Sequence, residues 1–144
     1  MDNVRNVSNV NAGNPINRTV ALVMGIVFVL VGLLGFVLQP TLIIFGVNNL
    51  HNFIHLLSGA VLLFAWWYEG GRLARTVNLT FGVVYLVVAL LGFLGILVPD
   101  LLNQRADAVP HADNVLHLLL AIVFLGAAFI RRDVETRRMT GTAP

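Results

Sequence analysis

Apolar and polar positions divide this chain into four long hydrophobic runs, Thr19–Leu38, Leu50–Tyr68, Val77–Val98 and Asn114–Ile130, separated by polar intervals. A helix needs about 20 mostly apolar residues to cross the hydrocarbon core of a bilayer. Each run therefore predicts one membrane-spanning helix, the last with the shortest uncharged stretch. Gln39-Pro40 and Val98-Pro99 are expected to end the first and third helices, because proline lacks an amide donor and disfavours helix in the residue before it. Gly70-Gly71 closes the second and Arg131-Arg132 the fourth. Trp66-Trp67-Tyr68 lies where an interfacial aromatic belt belongs.

The runs are related in pairs. Gly25–Phe36 (GIVFVLVGLLGF) laid over Gly82–Phe93 (GVVYLVVALLGF) gives seven identities in twelve positions, and Pro40 has its counterpart in Pro99, two residues further on. Asn52–Ala60 (NFIHLLSGA) over Asn114–Ile122 (NVLHLLLAI) shares the Asn, the His and the two leucines after it. The pattern predicts an all-α integral membrane four-helix bundle built from two tandem two-helix repeats, about 19–68 and 77–130. Tandem hairpins enter a bilayer with the same orientation, so the halves are expected to be related by a pseudo-twofold axis along the membrane normal. The first helix of each repeat carries a stripe, Gly25, Phe28, Gly32, Gly35 and then Gly82, Tyr85, Ala89, Gly92. Small residues let backbones approach where lipid leaves little hydrophobic drive for association. These faces are expected to pack on the bundle or on a partner subunit.

Residues 1–18 form an Asn-rich leader, with six asparagines in the first 17 positions beside Gly13 and Pro15, and predict a disordered tail. Residues 131–144 form an Arg-rich C-terminal tail. The first span is long, follows this polar leader and recurs in the second half, so it is expected to be mature structure and not a signal peptide.

Composition sharpens the class. Of 144 residues 58% are hydrophobic and only 11% charged, with a mean hydropathy of +0.85, which is outside the range of a soluble domain. The chain has no cysteine, which excludes disulfides, thiolate ligands and cysteine nucleophiles. No G-x-G-x-x-G or Walker-type loop follows a strand, and no nucleotide or nucleic-acid partner is expected. All nine basic residues are arginine, and eight of them (Arg5, Arg18, Arg72, Arg75, Arg131, Arg132, Arg137, Arg138) lie on the side of both termini. Opposite them Arg105 stands with Asp100, Asp107 and Asp113. The positive-inside rule predicts a multi-pass protein of the cell membrane with both termini cytoplasmic and the His-bearing helix ends outside. The sequons at Asn6, Asn17 and Asn78 then fall on the inner side and are expected to be unused.

Candidate chemistry is confined to that outer end. The segment NNLHNFIHLLSG (Asn48–Gly59) opens an apolar run with three asparagines and two histidines. Residues three or four apart share a helix face, so Asn48, His51 or Asn52, His55 and Ser58 or Gly59 form one stripe. Its counterpart is Asp113 or Asn114, His117 and Ala121, with His55 aligned on His117 and His51 on Asp113. His51, His55, Asp113 and His117 are expected to form one polar cluster at matching depth, with Asn52, Asn114 and Asp113 as the nearest partners for the imidazoles. In one reading Asn48, Asn49 and Asp113 are helix N-caps and the imidazoles satisfy loop carbonyls. In another the four residues are metal ligands, since imidazole and carboxylate suit zinc, copper or iron. Bis-His haem ligation by His55 and His117 and a proton relay are the remaining readings, and no cofactor is singled out.

Three blocks carry a resemblance to a known family: FGVNNLHNFIHLLSG, GRLARTVN and ADNVLHLLLAIVFLG, within a similarity running from about Val20 to Phe129. The chain resembles a family of small prokaryotic four-span membrane proteins, haloarchaeal members included, classified only as a domain of unknown function. Its helix layout is also similar to the DoxX-like four-helix proteins. The resemblance implies a fold and a membrane location, and implies no reaction.

Two functional classes follow. The first is a structural or accessory protein of the lipid bilayer, packed as a homo-oligomer or as a subunit of a membrane complex. The second is a metal- or haem-binding or proton- or ion-handling protein that uses the outward His/Asp cluster. No acidic or basic residue sits mid-span, and Ser58 beside His55 is the one helical serine, so neither a self-contained transporter nor an enzyme is indicated. The first class is the expectation.

Overall fold

The computed structural model describes residues 13–130; the expected N-terminal leader up to residue 12 and the Arg-rich tail 131–144 lie outside the described residues. The protein is mostly helical, and four helices are long and apolar enough to cross a membrane. Helix α1 spans Pro15–Leu38. It starts four residues ahead of the expected Thr19, because Asn14 caps it by accepting from the Ile16 amide at 2.9 Å and Pro15 suits the first helical position. After Gln39-Pro40 come two antiparallel two-residue strands, β1 (Thr41–Leu42) and β2 (Phe45–Gly46), pairing Thr41 with Gly46 and Leu42 with Phe45. Apolar periodicity carried no sign of this small hairpin.

Helix α2 covers Asn49–Trp67 and continues through a short 3₁₀ turn, Tyr68–Gly70, into α3, Ala74–Phe93. The third run was expected to stay helical to Val98, and it stops five residues earlier. Gly95 is the cause: at φ +70° it takes the left-handed conformation, its amide donates to the Gly92 carbonyl, and the Ile96 amide reaches the Leu91 carbonyl at 3.0 Å. These two bonds close the helix end. A single helical turn, Val98–Leu101, and a 3₁₀ turn, Gln104–Ala106, lead to α4, Ala112–Phe129.

The tightest pairings are α1 with α2 and α3 with α4. The glycine stripes make them: a Cβ at Gly25 would collide with Leu63, at Gly35 with Asn52, at Gly82 with Leu125 and at Gly92 with Asn114. The stripes thus face the chain's own bundle. The centre is filled by Ala21, Phe28, Leu62, Ala74, Tyr85, Ala121 and Phe124, while Leu30, Leu33, Val37, Phe53, Leu57 and Ile122 point outward and exposed. Such a surface suits lipid and not water.

Candidate metal centre

The polar faces of α2 and α4 meet at the end of the bundle that carries the α1–α2 and α3–α4 connections. Asn48 caps α2, its side-chain oxygen accepting from the His51 amide at 2.9 Å. This orients the first turns so that His51 and His55 are buried, 2% and 7% exposed. Asn49, the other expected cap, is the first residue of α2 and accepts from Gln39 Nε2 at 3.1 Å.

Helix α4 begins differently from the expectation. Its N-cap position is held by His111, which makes no side-chain cap. The acceptor comes instead from Asp107 in the preceding loop, whose Oδ2 accepts from the Asp113 amide at 3.1 Å while its Oδ1 accepts from the Gly46 amide at 2.8 Å. Asp113 is therefore not the cap. It sits inside the first turn with its carboxylate free to face two imidazoles, 3.9 Å from Oδ2 to His51 Nε2 and 4.0 Å from Oδ1 to His117 Nε2.

Hydrogen bonds assign the lone pairs. His51 Nδ1 lies 3.0 Å from the Leu102 carbonyl and 3.3 Å from the Gly46 carbonyl. Both are acceptors, so Nδ1 carries the proton and Nε2 presents a lone pair toward Asp113. His51 Nε2 and Asp113 Oδ2 have no hydrogen-bond partner. The Gln104 amide lies 3.4 Å from His117 Nδ1 with its oxygen unpaired. As placed, the Gln104 amide nitrogen donates to His117 Nδ1 and leaves the proton on Nε2; only with the amide turned by half a rotation would it accept from Nδ1–H and free the Nε2 lone pair.

One ligand atom from each of His51, Asp113 and His117 lies within 4.8 Å of the others. A zinc-like ion with bonds of about 2.0–2.2 Å holds its donors roughly 3.3–3.5 Å apart, so the Asp113–His contacts of 3.9 and 4.0 Å would close by about half an ångström and a separation at the 4.8 Å limit by more than an ångström. His55, the fourth expected ligand, is adjacent but does not join these donors. It stacks on His51 with ring centroids 4.6 Å apart, meets Phe28 at 5.4 Å, and leaves Nδ1 unpaired. The expected partners Asn52 and Asn114 do not serve the cluster either. Asn52 packs under Gly35 with no hydrogen bond, and Asn114 bonds His111 at 3.2 Å.

A cavity of about 90 Å³ adjoins the three donors, walled otherwise by Val27, Val31, Leu42 and Leu120 with Phe28 and His55. Below the cluster, toward the chain termini, an aromatic layer closes the bundle: Tyr85 stacks on His117 at 5.4 Å and on Phe124 at 5.9 Å, and Phe28 lies 5.6 Å from Tyr85. Beyond it Asn78 Nδ2 donates to the Asn17 carbonyl and side-chain oxygens, 3.0 Å each. In the α3–α4 connection Arg105 binds Asp100, and this hydrogen bond holds the exposed Asp100 carboxyl below its ordinary range. The loop's cation is thereby engaged away from the cluster.

Residues 18–130 match the family described as Domain of unknown function (DUF4383). The chain belongs to this family. No curated protein and no solved structure matches it. In this DUF4383 member the residues at the cluster that the sequence pattern does not mark are Gln104 and Asp107. Both come from the irregular α3–α4 connection, where no periodicity marks which side chains turn inward; the one available signal was the position of Asp107 shortly before a helix start that lacks its own cap.

Proposed function

We propose that this protein is a metal-binding accessory protein of the cell membrane, without catalytic activity, that holds one transition-metal ion at its outward end through His51, Asp113 and His117. The observation that carries the reading is the convergence, from two helices, of two imidazoles and a carboxylate whose side chains are each 3% exposed, with His51 Nε2 and Asp113 Oδ2 unpaired. Buried polar atoms without partners are costly, and a cation that takes both answers the cost. Two histidines and one carboxylate suit Zn²⁺, Fe²⁺ or Mn²⁺ chemistry. The cavity of about 90 Å³ has no room for a porphyrin, so bis-His haem ligation is not supported. Conduction through the bundle is opposed by the Phe28–Tyr85–Phe124 layer.

The same reading has both termini cytoplasmic, on the arginine distribution, and takes the chain as two tandem repeats. Matching contacts support the duplication: Gly25 against Leu63 repeats as Gly82 against Leu125, and Gly35 against Asn52 as Gly92 against Asn114. The expected accessory role in a homo-oligomer or larger complex stays part of it, carried by outward faces of Leu, Val and Phe, since the glycine stripes are used within the chain. Kinship with haloarchaeal members and likeness to DoxX-like proteins rest on motifs and helix layout alone.

The test is metal content. Protein purified in detergent, stripped with chelator and reloaded with Zn²⁺ or Co²⁺, is expected to retain one ion per chain after dialysis. His51→Ala and His117→Ala are expected to lose it, and Asn78→Ala, remote from the cluster, to keep it. Absence of stoichiometric metal from the unaltered protein refutes the reading.

A further inference from the structure

The cavity beside the three donors is not symmetric in the bundle. Its walls come from α1, the β1–β2 hairpin, α2 and α4, and none from α3. It is about 90 Å³ in volume, room for roughly three water-sized groups at about 30 Å³ each. Apart from the donors its polar wall is a single side chain, His55, whose buried Nδ1 has no partner. The rest is apolar, aliphatic residues such as Val27, Val31, Leu42 and Leu120 together with aromatic Phe28 and Phe45.

Charge decides what fits there. Two neutral imidazoles and one carboxylate contribute a single negative charge, so a divalent ion leaves one positive charge in an apolar seam. A buried charge without a counterpart is strongly unfavourable, and the ion's own charge has to enter the count. Three protein ligands also leave a coordination position for an exogenous group. We propose that this cavity seats a small monovalent anion of up to three heavy atoms, bound to the ion on one side and receiving a hydrogen bond from the His55 imidazole on the other. The inference rests on the metal-centre reading above, and it assigns to His55 the part that the donor set leaves vacant. The apolar walls select by size and admit no second charge.

Azide is the probe. Co²⁺-loaded protein is expected to show a saturable shift of its visible absorption on addition of azide. Val31→Phe and Leu120→Phe fill the cavity from its two apolar sides without touching a donor. They are expected to retain Co²⁺ and to weaken azide binding by at least about tenfold, equal to 1.4 kcal/mol. His55→Leu, which keeps all three donors, is expected to weaken it as well. If the unaltered protein takes up no Co²⁺, the metal-centre reading itself fails. If Co²⁺ binds and azide leaves the spectrum unmoved, water alone fills the position and the anion proposal is overturned. An equal azide response in the unaltered protein and the filled variants overturns it too. Should neither filled variant fold, an unchanged azide affinity in His55→Leu has the same consequence.

Discussion

Gly92 and Gly126 both lie in the last turn of a long helix, and alanine at the two sites should act in opposite directions. A Cβ at Gly92 would overlap the Asn114 amide, coming within 2.6 Å of its Cγ, and would stand 3.0 Å from Gln104 Oε1. At Gly126 no heavy atom lies within 4 Å. Replacing a helical glycine by alanine gains about 0.5–1 kcal/mol through the backbone entropy of the unfolded chain, and this gain is common to both variants. Their difference therefore isolates the overpacking at Gly92, about 1–3 kcal/mol for a side chain forced against a well-packed neighbour. Gly126→Ala is expected to be more stable than the unaltered protein and Gly92→Ala less stable, in denaturant titrations in mixed micelles followed through Trp66 and Trp67 fluorescence. If Gly92→Ala proves as stable as Gly126→Ala, α3 and α4 do not approach at Gly92 and the packing argument is wrong.

Three further outcomes are expected. Asp107→Ala removes the acceptor for the Gly46 and Asp113 amides and should cost about 1 kcal/mol while lowering metal affinity, because the first turn of α4 is no longer held; unaltered stability and affinity would show that another group caps α4. Asn78→Ala should lose about 0.5–1.5 kcal/mol, and combining it with Asn17→Ala should cost little more, since the two share one set of hydrogen bonds; additive losses would contradict that coupling. Cysteines introduced at Ala12 and Thr142 should resist an impermeant thiol reagent in intact cells while one at Ala106 reacts, and labelling at either terminus would reverse the orientation.

Much of this architecture is legible in the residue pattern. Run length alone marks the four helices, because hydrocarbon thickness dictates how many apolar residues a span requires. The i, i+4 spacing of Asp113 and His117, with His51 at the equivalent depth on α2, anticipates the donor trio. What escaped is local or irregular. Gly95 reads as one more small residue in an apolar run, although its positive φ ends α3 ahead of Pro99. Asp113 looks like a cap until the loop brings Asp107 over the helix end, a contact between residues that no periodicity links. His55 shares a helix face with His51, but spacing along one helix does not say which ring reaches a third group and which stacks behind it.

The donors are divided unequally along the chain: His51 belongs to the α1–α2 hairpin, Asp113 and His117 to the α3–α4 hairpin. The hairpins are also strapped to one another at this end. His51 Nδ1 reaches the Leu102 carbonyl, Asn48 Nδ2 the Leu101 carbonyl and Asn103 Nδ2 the Val47 carbonyl, each at 3.0 Å. On the proposed metal-centre reading, the first hairpin leaves the ribosome with only one of the three donors, His51, beside the non-donor His55. Only when the second hairpin has docked do the Leu102 carbonyl and the Asp113 carboxylate reach His51 together. If the proposed centre binds its ion, metal retention would be a record of completed assembly, and a half-inserted or misdocked chain would carry no ion for the cell to lose.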